Sequence, residues 1–225
     1  MSTDEPKDYT IGYSDFLNLK IDLSRRPLIP RVETEYWTDL AIKEIKRRVV
    51  YDKLTIVKIL DIFAGSGCIG LAVAKNIPEV KVDFAEVESK FIEQIKFNAG
   101  LNNINQTRLD FFVSDVFANI PAENRYNFIL ANPPYIPEGR KSELDKSVVD
   151  FEPRGALFSG VDGLDLIKKF LAGAGVFLAP AAQIWLEFDI SQKETLAKLL
   201  PEFGYQNFTF YRDQYDRWRF VVITT

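Results

Sequence analysis

The sequence predicts an α/β fold, with a mostly parallel sheet of seven strands, helices on both faces and an antiparallel hairpin at the carboxyl end. Three observations lead there. From residue 55 onward, short apolar runs alternate with stretches of helical period, and short links between β, α and β units require parallel neighbours. A glycine-rich turn, "AGSG", stands between the first strand and the first helix of that series. The last two strands, "QNFTFY" and "RWRFVVIT", are aromatic-rich and close enough to pair as a hairpin, which mixed sheets accommodate at an edge.

The elements follow in order. Residues 1–35 form a short polar lead-in, and residues 36–225 form one domain. That domain opens with a helix over "YWTDLAIKEIKRRVV" (36–50), whose Lys46, Arg47 and Arg48 are expected to be a solvated last turn favourable to the helix dipole. Strands are read at "TIVKILDIF" (55–63), "KVDFAEV" (81–87), "TRLDFFVSDVF" (107–117), "YNFILA" (126–131) and "QIWLEFD" (183–189). Helices are read over "CIGLAVAKN", "SKFIEQIKFNAGLNN", "LDLIKKFLAGAGVFL" and "SQKETLAKLLPEF". In the second of these, Phe91, Ile92 and Ile95 share a face. Residues 136–160 are a long charged loop, a length that marks lids and binding segments.

Composition narrows the chemistry. With 225 residues, 47% of them hydrophobic and 27% charged, the chain can bury a full core without disulfide or metal staples. Its 28 basic and 32 acidic residues give a net charge of −4, which argues against a nucleic-acid partner held through the phosphate backbone. Histidine is absent, so no Ser-His-Asp triad, Cys-His pair or histidine zinc site can form, and no metal site is expected. One cysteine, Cys68, allows no internal disulfide and reads as a small apolar filler. No run approaches the ~20 apolar residues of a membrane span. The start, "MSTDEPKDYT", is unlike a secretory leader, so the expected location is cytoplasmic.

Chemistry must then come from carboxylates, amides, backbone groups or a cofactor. "GSGCIG" places Gly65, Gly67 and Gly70 after a strand and at the opening of a helix, and Glu86 ends the next strand. Glycines allow a tight turn and close ligand approach, while a strand-end carboxylate can accept both ribose hydroxyls. Asp61, just before the turn, fits a pyrophosphate poorly and a cationic ligand well. Asp115, ending the third strand, is placed to accept from an adenine amino group. Three strand-end acids beside a glycine turn suit S-adenosyl-L-methionine, which carries an ammonium, a sulfonium, a ribose and an adenine but no phosphate.

The segment "LANPPYIPEG" (130–139) leaves its strand through two prolines. Pro133 and Pro134 have fixed φ and no N–H, and each pins the residue before it in extended geometry. What remains is a rigid hook of acceptors at the carboxyl end of a strand, where open α/β sheets bind ligands. The Asn132 side-chain carbonyl and the Pro133 main-chain carbonyl can receive both hydrogens of a substrate –NH₂, and Tyr135 supplies a flat wall.

These residues resemble the class I, Rossmann-like S-adenosylmethionine-dependent methyltransferases, and "NPPY" resembles the signature of those that methylate amide or amino nitrogens. "LIPRVETE" (28–35) resembles the "IPRPETE" segment of the HemK/PrmC family of release-factor glutamine methyltransferases. "FEPRGALFSGVDGLD" (151–165) resembles the same family's segment after NPPY. The resemblance implies methyl transfer to the glutamine side-chain amide of the Gly-Gly-Gln motif in a peptide-chain release factor. It implies that Phe63, Ala64, Gly65, Ser66 and Gly67, with Asp61, surround the methionine part of the cofactor. Glu86 would hold the ribose, Asp115 and Val116 would border the adenine, and Asn132 would touch the cofactor as well. Asn132, Pro133, Pro134 and Tyr135 would be catalytic, with Arg31, Glu33, Thr34, Glu152 and Arg154 on the substrate side. Glu86 stands where the family more often has aspartate, and Val116 where some relatives carry a larger residue. The family's helical substrate-gripping domain is expected to be missing or reduced here, since 27 residues precede "LIPRVETE", and a partner protein is a candidate replacement.

Three other readings use the same residues. An adenine amino methyltransferase could use the hook on a flipped base, although the chain shows no basic face or target-recognition domain. A nucleotide-binding scaffold would not need an intact "NPPY". A nicotinamide-dependent oxidoreductase would need a proton relay, which the sequence does not offer.

Overall fold

The computed structural model describes residues 5–51 and 57–225. Sixteen helices and strands are labelled here in chain order. Before the main sheet come α1 (Lys7–Ile11), the hairpin β1 (Tyr13–Phe16) and β2 (Leu19–Asp22), and the long helix α2 (Val32–Tyr51). Then follow β3 (Val57–Ile62), α3 (Cys68–Asn76), β4 (Val80–Glu86), α4 (Ser89–Leu101), β5 (Leu109–Val113) and β6 (Tyr126–Ala131). The chain continues through α5 (Lys146–Phe151), α6 (Asp165–Ala174), β7 (Leu178–Glu187), α7 (Lys193–Glu202), β8 (Phe208–Arg212) and β9 (Trp218–Thr224). Thr55 and Ile56, the start of the expected first strand, lie outside the described residues.

The main sheet has seven strands in the order β5-β4-β3-β6-β7-β9-β8. The four pairings among β5, β4, β3, β6 and β7 are parallel, and β9 joins β7 and β8 antiparallel. The expected sheet is therefore the observed one, C-terminal hairpin included. Strand alternation divides the core. Val57, Ile59, Val82, Phe84, Phe128 and Leu130 pack towards α2, α3 and α4. Leu60, Ile62, Ala85, Ile129, Ile184 and Leu186 pack towards α6 and α7. Each such fully buried large side chain contributes about 1.5–3 kcal/mol.

Chain order reverses between β3 and β6, which are hydrogen-bonded neighbours. Loops leaving their carboxyl ends diverge to opposite sides, and a crevice opens there.

Three sequence expectations change. The lead-in contains a helix and a hairpin, and Phe16, Leu19, Ile21 and Leu23 join the core of the α2–α4 face. Their alternation spans only two four-residue strands, too short to rise above the polar composition around it. Arg48 is buried instead of solvated: its Nη1 donates to the Ala181 carbonyl at 2.7 Å, and its guanidinium lies 5.4 Å from the Phe128 ring. A register shift opposite β6, with Ala181 at φ +55°, brings that carbonyl to it. The 136–160 loop is folded, with 3-10 turns at Glu138–Glu143 and Arg154–Ala156 flanking α5. A parallel bridge joins Ile136 to Phe158.

Candidate active site

A cleft at the switch point is lined by Phe63–Ser66 after β3, Glu86–Glu88 after β4, Ser114–Val116 after β5, and Asn132 and Pro134 after β6. The N-terminal segment adds Leu28–Arg31 and Thr34, and the folded loop adds Pro153, Gly155 and Ala156. Residues far apart in sequence converge because four consecutive parallel crossovers return each strand end to the same edge.

The glycine turn is built by packing. At Gly67, φ is +78° and an added Cβ would stand 2.7 Å from Ile95 of α4. At Gly70 a Cβ would meet Phe84 at 2.4 Å and Asp61 at 2.9 Å, so α3 approaches the sheet closely only because this residue is glycine. All three N–H groups of the motif are committed internally. Gly65 donates to Glu86 Oε2 at 2.9 Å, Gly67 to the Ala64 carbonyl at 2.7 Å and Gly70 to Asp61 Oδ2 at 2.8 Å. None is left to cradle a pyrophosphate, which removes the main chemical argument for a nicotinamide cofactor.

Asp61 does not line the cleft. It is fully buried beneath α3, where Oδ2 caps an N–H of the helix's first turn. Its Oδ1 has no partner among the described residues, and burial above all holds its pKa well above the usual carboxylate range, with the Glu86 charge adding to the rise. Glu86 lies at the wall, its oxygens accepting from Gly65 and Glu88 N–H at 2.9 and 3.0 Å. Burial raises its pKa too, against those hydrogen bonds. Each Glu86 oxygen keeps a lone pair for a further donor. Two desolvated carboxylates beside an apolar slot fit a cationic nucleoside such as S-adenosylmethionine. Cys68 lines the cleft as a buried thiol pushed up to about 12, first by desolvation and then by Asp61.

Phe63 and Val116 both line the cleft, with φ of +61° and +55°. Left-handed backbone is a true outlier for a β-branched or bulky residue, and such strain clusters at ligand sites. A Ser114 brace holds the Val116 turn: its Oγ donates to the Val116 carbonyl at 2.8 Å and accepts from Asn119 N–H at 3.0 Å. Asp115 is exposed at the rim and pairs with Lys169 Nζ at 2.6 Å.

In the proline hook, Asn132 and Pro134 line the cleft, and Pro133, whose carbonyl is held between them, is itself buried. No donor among the described residues reaches the Pro133 carbonyl. The Tyr135 carbonyl accepts from Gln192 Nε2 at 2.8 Å, and a Cβ on Gly163 would lie 2.1 Å from that oxygen.

On the substrate side, Arg31 and Thr34 line the cleft, while Glu33, Glu152 and Arg154 do not. Glu152 is a buried strut: Oε1 pairs with Arg31 Nη2 at 2.5 Å and Oε2 accepts from Ile29 N–H at 3.2 Å. Arg154 is exposed, pairs with Glu138 and lies 5.2 Å from the Phe158 ring.

Sequence reasoning passed over Glu187, the last residue of β7. It is buried, and three side chains donate to it: Thr34 at 2.7 Å and Trp37 at 2.6 Å, both to Oε2, and Tyr135 at 3.0 Å to Oε1. Burial raises its pKa even so. Burial and the Glu187 charge likewise raise the Tyr135 phenol. The available signal was a carboxylate near the end of the apolar run "QIWLEFD", a cue similar to the one that singled out Glu86 and Asp115.

A family model described as the methyltransferase small domain matches residues 38–150. The chain is 34% identical over 201 residues to a release factor glutamine methyltransferase of Thermodesulfovibrio yellowstonii, covering 89% of this chain and 70% of that protein. It is 32% identical over 227 residues to the protein of that name from Streptococcus pneumoniae, covering 99% and 76%. Among solved structures, the catalytic domain of human METTL16 in complex with a MAT2A 3′UTR hairpin aligns with a TM-score of 0.70 at 16% identity, over 93% of this chain and 76% of that one. The N-terminal domain of human METTL16 in complex with SAH aligns with a TM-score of 0.63 at 18% identity, over 93% and 76%. At these identities the solved structures establish the fold, a class I methyltransferase sheet, while the sequence relatives establish kinship: the chain belongs to the release factor glutamine methyltransferase family.

Proposed function

We propose that this protein transfers a methyl group from S-adenosylmethionine to the side-chain amide nitrogen of the glutamine in the Gly-Gly-Gln motif of a peptide-chain release factor. The observation that carries the reading is Asn132, which lines the same cleft as the glycine turn and Glu86. When bound, S-adenosylmethionine supplies an electrophilic methyl group on a sulfonium.

The residues of this chain do the rest. Glu86 accepts the ribose hydroxyls, and Phe63, Val116 and Leu166 enclose the apolar part of the ligand. Asn132 Oδ1 and the Pro133 carbonyl accept the two N–H groups of the incoming amide. An amide nitrogen is a poor nucleophile because its lone pair is delocalised. Holding both hydrogens orients that lone pair along the line of attack and stabilises positive charge as it grows on nitrogen. The N–C bond would form as the S–C bond to the methyl group breaks, its electron pair staying on sulfur, and one N–H proton would then pass to water. No histidine base is needed, in keeping with a chain that has none. The release factor is read as docking over residues 28–31 and the folded 136–160 segment, in the cytoplasm, where translation ends. No helix among the described residues is long and apolar enough to cross a membrane.

The test is transfer of labelled methyl to a release factor with its Gly-Gly-Gln glutamine intact or replaced by alanine. Label is expected only on the intact factor. Equal label on both would overturn the substrate assignment.

A further inference from the structure

We propose that Glu187 is a positioning residue, which through Thr34 fixes the Asn132 side-chain amide with Oδ1 towards the methyl acceptor. The inference rests on the reading above, in which Asn132 holds the acceptor –NH₂, and adds a residue that touches neither substrate nor cofactor.

The direction of the amide follows from counting protons. Trp37 Nε1–H can only donate, and at 2.6 Å from Glu187 Oε2 it fixes that oxygen as an acceptor. Thr34 Oγ1 lies 2.7 Å from the same oxygen. A hydroxyl has one proton, and a bond to a buried carboxylate is stronger than a bond to a neutral amide carbonyl. The Thr34 proton is therefore committed to Glu187, and what Thr34 Oγ1 offers on its other side is a lone pair. Asn132 lies 3.3 Å from Thr34 Oγ1 and must present its Nδ2 hydrogens to that lone pair. A flipped amide would set two acceptors against each other. With Nδ2 turned to Thr34, Oδ1 is left for the cleft.

Protonation of the carboxylate leaves this arrangement in place. A proton on Oε1 would face the Tyr135 hydroxyl, 3.0 Å away, and Oε2 would still accept from Thr34 and Trp37. Oε1 also ties down the far end of the same hook, so both Asn132 and Tyr135 are referred to one buried group. Thr34 and Trp37 reach that group together because they are three residues apart on the first turns of α2.

The same proton count separates positioning from packing. In Glu187→Gln the amide oxygen can take the place of Oε2 and leave the Thr34 relay intact. Glu187→Leu abolishes the relay. Thr34→Val removes only the hydroxyl and keeps the shape of the side chain. Methyl transfer to a release factor is measured with the full-length variants, together with solvent exchange of the Asn132 Nδ2 protons by NMR in the protein alone. Glu187→Leu and Thr34→Val are expected to lower kcat about 10-fold or more while KM for S-adenosylmethionine moves less than about twofold. Both should speed Asn132 Nδ2 exchange, whereas Glu187→Gln should keep slow exchange and most of the rate. Thr34→Val with wild-type kcat and exchange overturns the proposal, as does Glu187→Gln falling as far as Glu187→Leu. If Glu187→Leu fails to fold, the other two variants decide. If wild-type protein transfers no methyl to the release factor, the substrate reading alone falls, because the exchange pattern still reports whether Glu187 orients Asn132.

Discussion

The Asn98 side chain donates Nδ2–H to the Ser66 carbonyl at 3.0 Å, while its Oδ1 accepts from Asp22 N–H at 2.8 Å. One fully buried amide thus ties the N-terminal hairpin to the glycine turn of the cofactor cleft. Replacing it with leucine leaves the Ser66 carbonyl and the Asp22 N–H without this partner, which should cost about 1–3 kcal/mol of stability. Asn98→Leu is also expected to weaken S-adenosylmethionine binding about 10-fold, since the turn that lines the site loses its brace. Thermal melts and calorimetric titration check the two effects separately.

Asn132→Ala removes the proposed acceptor of the substrate amide from the cleft wall. Its kcat should fall about 10²–10³-fold, as for other preorganised polar groups that act in the transition state. Turnover near wild type in a labelled-methyl assay would end the proposed role of this side chain.

Gly70→Ala introduces a methyl group 2.4 Å from Phe84 and 2.9 Å from Asp61. Neither neighbour is a flexible side-chain tip, so α3 must move away from the sheet. Overpacking of this kind costs about 1–3 kcal/mol. Urea unfolding should show a lower midpoint with an unchanged slope.

Arg31 and Glu152 join the segment before α2 to the folded 136–160 region, and the Glu152 carboxylate is almost wholly buried. Arg31→Ala leaves that carboxylate with only the Ile29 N–H, a loss of about 1–3 kcal/mol after allowing for the partial exposure of Arg31. Limited trypsin digestion should cut earlier at Arg140, Lys141 and Lys146 in the variant than in the wild type.

Burial raises the pKa of Asp61, Glu86 and Glu187 above their usual values of 3.8, 4.5 and 4.5. In the window between those values and the raised ones, the folded state binds more protons than the unfolded state, so stability falls as pH rises. Unfolding free energy should therefore increase on acidifying from neutrality towards about 4.5. Asp22, Asp162 and Asp189 are lowered, so their stabilisation, present above 3.8, is lost as pH falls through their folded values. Denaturant unfolding across this range should trace a maximum in mildly acidic solution, and Asp61→Asn should flatten its alkaline side.

Most of the architecture was legible in the chain because its signals are local. β6 runs over the very residues of "YNFILA", and α3 over those of "CIGLAVAKN", since period-2 and period-3.6 patterns read directly as faces. The hairpin β1–β2 escaped notice because two four-residue strands carry too few alternations to register. Arg48 was misplaced because its burial depends on a carbonyl 133 positions away. The glycine turn, Glu86 and the proline hook could be singled out by residue type and spacing, but the position of Asp61 could not. A carboxylate just before a glycine turn can face the ligand or cap the following helix, and only the depth of α3 against the sheet selects the cap.

By itself, the sequence determined the succession of main-sheet strands along the chain, the turn that admits a ligand and the amide and prolines that end β6, because each is written in adjacent residues whose backbone preferences need no partner. The tertiary structure alone decided that Thr34, Trp37 and Tyr135 meet on Glu187, across separations of 52 to 153 positions. Desolvation is the reason. A carboxylate at the end of an apolar strand is neutral to its neighbours in sequence. Once the parallel crossovers close over it, it must gather donors from wherever the fold brings them, and those donors then set which way Asn132 faces.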